Sequence, residues 1–227
     1  LKKLNGEKDA LGKNAMYLLG DCYLTLKDKS NARAAFQFCA ADNKDSVQRE
    51  IATFQFLKLS YELGFADLVS RGIRTFLEEY PRSGYSAEAK QMLVSILATS
   101  NNFKDALEIY QALPNPSSAT QKIYPSLLYG RAVDLMNEQQ WAIADELLTK
   151  LLAASENRLK GYANFWKGEI AFRNALYDNA VKYYAAYLQS NAAPAGEVNR
   201  INASYALGHA WLKKENYKMA DRKSTRL

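Results

Sequence analysis

One histidine, two cysteines and a scatter of carboxylates are all that this 227-residue sequence offers to catalysis or metal binding. A metal centre needs three or four converging ligands, and a catalytic dyad needs a base beside its nucleophile. His209 has no such partner at motif spacing, and no CxxC, HExxH, glycine-rich phosphate loop or nucleophile elbow occurs. The adjacent Glu78 and Glu79 read as a helix end facing solvent. Cys22 and Cys39 fit two readings: a disulfide suited to an oxidising compartment, or two buried free thiols filling small-residue slots. The expectation is no enzyme activity, no catalytic residue, no metal and no cofactor.

Recognition chemistry is better represented. Tyr162, Phe165, Trp166 and Phe172 crowd one short stretch, together with Glu169 and Arg173. Aromatic residues and arginine are enriched where proteins grip one another. Aromatics at helical spacing also build cores, so both roles stay open for each ring.

The elements that would carry these residues repeat. A small residue follows an aromatic by three positions in Phe103/Ala106, Trp141/Ala144, Tyr177/Ala180 and Tyr217/Ala220, and degenerate copies stand at Lys29/Ala32 and Phe65/Leu68. The six anchors Ala32, Leu68, Ala106, Ala144, Ala180 and Ala220 are 36, 38, 38, 36 and 40 residues apart. A period of that length marks a solenoid of helix pairs. Apolar residues at helical spacing, such as Met16, Leu19 and Tyr23 and then Ala32, Phe36 and Cys39, give each unit two helices. The units are expected at about 13–42, 46–80, 84–113, 121–155, 157–190 and a truncated 197–221. Residues 222–227 fit no repeat position and are read as foreign to the array.

Glycine stands 12 residues before three anchors, at Gly20, Gly168 and Gly208. Mid-helix glycine costs about 1 kcal/mol against alanine, so three in register need a packing reason. The expectation is a helix crossing at which glycine on the first helix meets alanine on the second. Lys58 and Val94 replace the glycine in units two and three. In unit four Gly130 lies 14 residues ahead, which suggests a longer turn or a shifted register. The Leu63–Gly64 turn looks about two residues short, and Ser30 or Asn31 is a candidate helix cap. All five prolines, Pro81, Pro114, Pro116, Pro125 and Pro194, are expected between units or in a first helical turn. The polar stretch 114–122 is the expected hinge.

Hydrophobic residues make up 48% of the chain, enough for a large core. The net charge of +6 invites a nucleic-acid reading, but Arg222, Lys223 and Arg226 in the last six residues supply half of it. The remaining charges alternate in sign, so no nucleic-acid partner is expected. The apolar run Met92 to Ala98 is too short to span a bilayer, so no transmembrane segment is expected here. The chain starts without methionine and stops as a repeat begins its second helix, and it is expected to be a fragment.

Leu19, Gly20 and Tyr23 with Ala32 and Phe36, and Leu207, Gly208 and Trp211 with Tyr217 and Ala220, resemble the tetratricopeptide repeat (TPR) motif. The resemblance is closest in units one, five and six and extends in degenerate form over nearly the whole chain. It implies an all-α solenoid of about eleven to twelve helices over residues 1–227. Antiparallel pairs would stack so that their first helices line a concave groove for a peptide or partner protein. By the family's groove positions, Tyr17 and Asp21 would face inward from unit one, Gln55 and Gln91 from units two and three, and Arg131 from unit four. Phe165, Trp166, Glu169 and Arg173 would follow from unit five, then Tyr205 and His209. The lysine, asparagine and arginine with which chaperone-binding relatives hold a peptide carboxylate are replaced by Tyr17 and Asp21, so that ligand is not expected. The junction 76–90 resembles those of bacterial envelope TPR proteins, which implies a periplasmic or outer-membrane-associated setting, with the cytoplasm as the alternative. The function implied is a non-enzymatic scaffold. The competing reading makes the array an accessory region of a larger enzyme, regulator or nucleic-acid-binding protein. End-to-end self-association through exposed terminal repeats is a further expectation.

Overall fold

The computed structural model describes residues 10–41, 46–154 and 158–215. Among them run eleven helices: α1 (Ala10–Thr25), α2 (Lys29–Ala40), α3 (Ser46–Glu62), α4 (Ala66–Glu79), α5 (Ser86–Thr99), α6 (Phe103–Gln111), α7 (Ser118–Asn137), α8 (Trp141–Ala153), α9 (Lys160–Arg173), α10 (Tyr177–Gln189) and α11 (Arg200–Lys213). The described residues hold no strand, only an isolated bridge between Ala195 and Val198. The expected second helix of the sixth unit, with Tyr217 and Ala220, and the tail 222–227 lie outside the described residues. The chain divides into two compact units, residues 1–121 and 122–227. In the first, each helix from α1 to α6 packs on the next, and α3 also touches α5. In the second, α8 packs on α9, α9 on α10 and α10 on α11, and α9 also touches α11.

Every described hairpin turns in the same way. Three residues separate α1 from α2, α3 from α4, α5 from α6, α7 from α8 and α9 from α10. The middle one has positive φ: Lys27 at 60°, Gly64 at 85°, Asn101 at 59°, Gln139 at 61° and Ala175 at 56°. In the first turn the Lys27 amide donates to the Leu24 carbonyl and the Asp28 amide to the Tyr23 carbonyl, and each later turn repeats both bonds. This is the Schellman ending, which satisfies the last carbonyls of the outgoing helix. The short turn expected at Leu63–Gly64 is therefore absent, and of the two alternatives for unit four the longer turn is absent as well. Because α4 begins at Ala66, its anchor is the fully buried Val69 and not the half-buried Leu68. With that one-residue correction the first five anchors are 37, 37, 38 and 36 residues apart. The cap of α2 is Asp28, whose carboxylate accepts from the Asn31 amide, and neither Ser30 nor Asn31. Asn102 caps α6 likewise through the Asp105 amide.

Gly20 and Gly168 also have a different partner from the one expected, and the alanine expected opposite Gly208, Ala220, lies outside the described residues. A Cβ on Gly20 would stand 2.9 Å from the Phe36 ring, and one on Gly168 would stand 2.6 Å from the Tyr184 ring. Phe36 and Tyr184 each lie four residues after their anchor alanine, so glycine admits a buried aromatic ring and not an alanine. The same position is Leu57 in unit two, Val94 in unit three and Ala132 in unit four, all buried, which replaces Lys58 and Gly130 in the comparison. In unit two the size relation reverses: Leu57 occupies the space a Cβ on Gly72 of α4 would need, 2.4 Å away. Interiors pack to near-crystalline density, so a large side chain on one helix requires a small one opposite.

Pro125 is the one proline out of place. Helix α7 begins at Ser118, earlier than expected, which puts Pro125 inside it. The start is fixed by α5, where the Gln91 side-chain carbonyl accepts from the Ser117 amide at 2.9 Å and from the Thr120 hydroxyl at 3.0 Å. At the junction 80–85, Tyr85 stacks on Phe54 with ring centroids 4.4 Å apart, and the Arg49 Nε donates to the Tyr80 hydroxyl at 2.9 Å.

Candidate functional site

Within residues 122–227, a cavity of about 490 Å³ opens between α9 and α11. Its α9 wall is Phe165, Trp166, Glu169 and Phe172, and Tyr184 of α10 closes the back. The α11 wall is Asn202, Tyr205, Ala206 and His209, a spacing that puts all four on one helical face. Glu197, in the loop before α11, stands at the rim. That volume falls within the roughly 300–1,000 Å³ common for ligand sites.

The rings are held by their neighbours. Phe165, 3% exposed, forms the floor and packs edge-on against Trp166, Tyr184 and Tyr187. Trp166 donates its indole N–H to the Tyr129 hydroxyl at 3.3 Å. Glu169 accepts from the Tyr184 hydroxyl at 2.7 Å. Burial, reinforced by that carboxylate, pushes the Tyr184 phenol well above its ordinary range, so it remains a donor. Tyr205, by contrast, is 64% exposed and touches the His209 ring edge-on at 4.4 Å. An exposed tyrosine beside a formed cavity is available for contact.

The expected groove residues separate into three groups. Phe165, Trp166, Glu169, Tyr205 and His209 are brought together in this cavity. Arg173 is not among its lining: its guanidinium lies over the Trp141 ring at 4.2 Å. Arg131 pairs with Glu138 at 2.8 Å, and Gln91 is occupied in bracketing the start of α7. Tyr17 sits half-buried and edge-on to Phe36, where burial raises its phenol pKa, and Asp21 is exposed. Gln55 is half-buried on α3. The sequence reading missed Asn202, Ala206, Tyr184 and Glu197. The helical spacing from Tyr205 and His209 back to Asn202 and Ala206 could have found the first two. Nothing in the sequence places Glu197 beside an aromatic cavity.

Cys39 is fully buried and donates its thiol to the Lys13 carbonyl at 3.2 Å, whereas Cys22 is exposed, so only one of the two fills a core slot. Both are free thiols. Burial pushes the Cys39 thiol up to about 11. Among the described residues no three His, Cys, Asp or Glu side chains converge as a metal site. No described helix is long and apolar enough to cross a membrane.

The arrangement defines a helical-hairpin repeat protein with a cavity between successive first helices. Residues 129–196 match the tetratricopeptide repeat family. No curated protein matches the sequence. Among solved structures, one from the functional characterization of Pseudomonas aeruginosa pilF is 15% identical, with a TM-score of 0.44 over 95% of this chain and 90% of its own. PilW, a widely conserved type IV pilus biogenesis factor, is 16% identical, with a TM-score of 0.40 over 96% of this chain and 93% of its own. A thermophilic TPR protein of Thermus thermophilus is 16% identical, with a TM-score of 0.36 over 86% of this chain and 98% of its own.

Proposed function

We propose that this chain is a non-enzymatic scaffold that holds a peptide segment of a partner protein in the cavity between α9 and α11. Tetratricopeptide repeats in general mark protein–protein interaction scaffolds. The observation that carries the finer reading is the exposed Tyr205 beside a cavity whose other rings are already fixed by Phe165, Trp166 and Tyr184. A preorganised aromatic pocket gives up little side-chain entropy when a ligand enters. Arg173 stands outside the proposed site because Trp141 already engages it. The envelope setting is part of the proposal and rests on the junction 76–90; fractionation of cells of the source organism, followed with an antibody to the chain, tests it.

Photocrosslinking tests the site. Benzoylphenylalanine replacing Tyr205 is expected to trap a partner in cells of the source organism. The same residue replacing Ile143, which is 48% exposed on α8 and is not part of the cavity lining, is expected to give no such adduct. Equal adducts at both positions, or none at 205, would remove the cavity from consideration.

A further inference from the structure

The cavity has a charge character as well as a shape. We infer that its occupant is a peptide segment presenting an arginine or lysine side chain, held over the aromatic rings and between the carboxylates of Glu169 and Glu197. This deepens the peptide-binding reading above and rests on it.

Two carboxylates line the site, and no Lys or Arg does. Among the described residues neither Glu169 nor Glu197 has an ion-pair partner; Glu169 receives one neutral hydrogen bond, from Tyr184, through Oε1. Three of the cations nearby in the sequence are engaged elsewhere, and Arg200, which opens α11 and acts on Tyr187, is not part of the lining. Lys167 bonds Asp145, Arg173 lies on Trp141 and Lys214 bonds Asp178. The other polar side-chain groups of the lining residues are Asn202, His209, the hydroxyls of Tyr184 and Tyr205, and the Trp166 indole N–H, which is taken by Tyr129. Aromatic faces carry negative potential and attract ammonium and guanidinium groups, most strongly where water is excluded. A carboxylate without a counterion, beside rings that can cover the aliphatic stem of a long side chain, matches the two parts of arginine and lysine. An acidic or phosphorylated segment would meet like charge at Glu169 and Glu197, a repulsion that discriminates against it.

The test pans a random heptapeptide display library against the full chain. The tightest binder is then synthesised with its basic residue kept, or replaced by citrulline, which preserves shape and removes charge. Selected peptides are expected to share an arginine or lysine, and citrulline is expected to weaken binding about tenfold. Glu197→Gln and Glu169→Gln should each weaken the basic peptide severalfold and leave the citrulline peptide unchanged; glutamine at 169 can still accept from Tyr184. Affinity should fall as salt rises, as partly screened charges require. Peptides that compete for the cavity, as judged by loss on Tyr205→Ala, but show no basic residue and no citrulline effect would overturn this inference and leave the peptide-binding proposal standing. Peptides insensitive to Tyr205→Ala, or no selected peptide at all, would overturn both.

Discussion

Gly168 and Tyr184 show how finely one side chain depends on another here. A methyl group at 168 would enter the buried Tyr184 ring, whose hydroxyl is also tied to Glu169. Gly168→Ala is therefore expected to lower stability by about 1–3 kcal/mol in urea unfolding, although alanine is the better helix former. Gly84 is the control, with no atom within 4 Å of a built Cβ, and Gly84→Ala should be neutral or slightly stabilising. The same ring sets a pH dependence. Its pKa is raised in the fold, so its contribution is complete below the ordinary tyrosine pKa of about 10 and is lost as pH climbs beyond it. Tyr184→Phe should flatten the fall in the urea midpoint between about pH 9 and about pH 11. The two thiols should also separate. A thiol reagent is expected to titrate Cys22 alone in the folded chain and both cysteines in urea, because Cys39 is buried and held neutral.

At the scale of the helices, the turns invite improvement. Ala175 carries a Cβ at φ 56°, which costs about 1 kcal/mol or more relative to glycine, and Leu176 begins α10 without a side-chain cap. Ala175→Gly and Leu176→Asp are each expected to raise the free energy of unfolding by about 1 kcal/mol, less the backbone freedom that glycine adds to the unfolded chain. Lys167 links three helices: it is 5% exposed, bonds Asp145 at 2.6 Å and Thr149 at 2.8 Å on α8, and lies 5.2 Å from the Tyr183 ring of α10. The helix pairs were readable from Ala32, Ala106, Ala144 and Ala180 because small buried residues recur at the same step of each second helix. Leu68 misled because Phe65 looks like the aromatic that opens the other second helices, whereas in the structure it precedes α4 as its cap residue. The glycine partner was hidden because contact across a hairpin depends on which way Phe36 and Tyr184 lean, not on their spacing. The α9–α11 cavity was half legible: aromatic crowding pointed to α9, but Glu197 comes from a loop that carries no period.

Repeat arrays behave as chains of neighbours, each unit drawing its stability from those it touches. The two compact units, residues 1–121 and 122–227, fit that description. A lesion in one hairpin should therefore stay local. Gly20→Leu would force a side chain into the Phe36 ring, and hydrogen exchange is expected to show lost protection in α1 and α2 while α9 and α10 keep theirs. Equal loss in all four helices would mean that the chain unfolds as a single block. The shared hairpin turn carries a further consequence. Lys27, Gly64, Asn101, Gln139 and Ala175 are five different residues on one backbone path, so the connectors are interchangeable parts. Residues 63–65 could be transplanted into 138–140 or 174–176 without altering the length of any helix, and a library of arrays assembled from one standard joint could vary its binding walls while leaving its hinges alone.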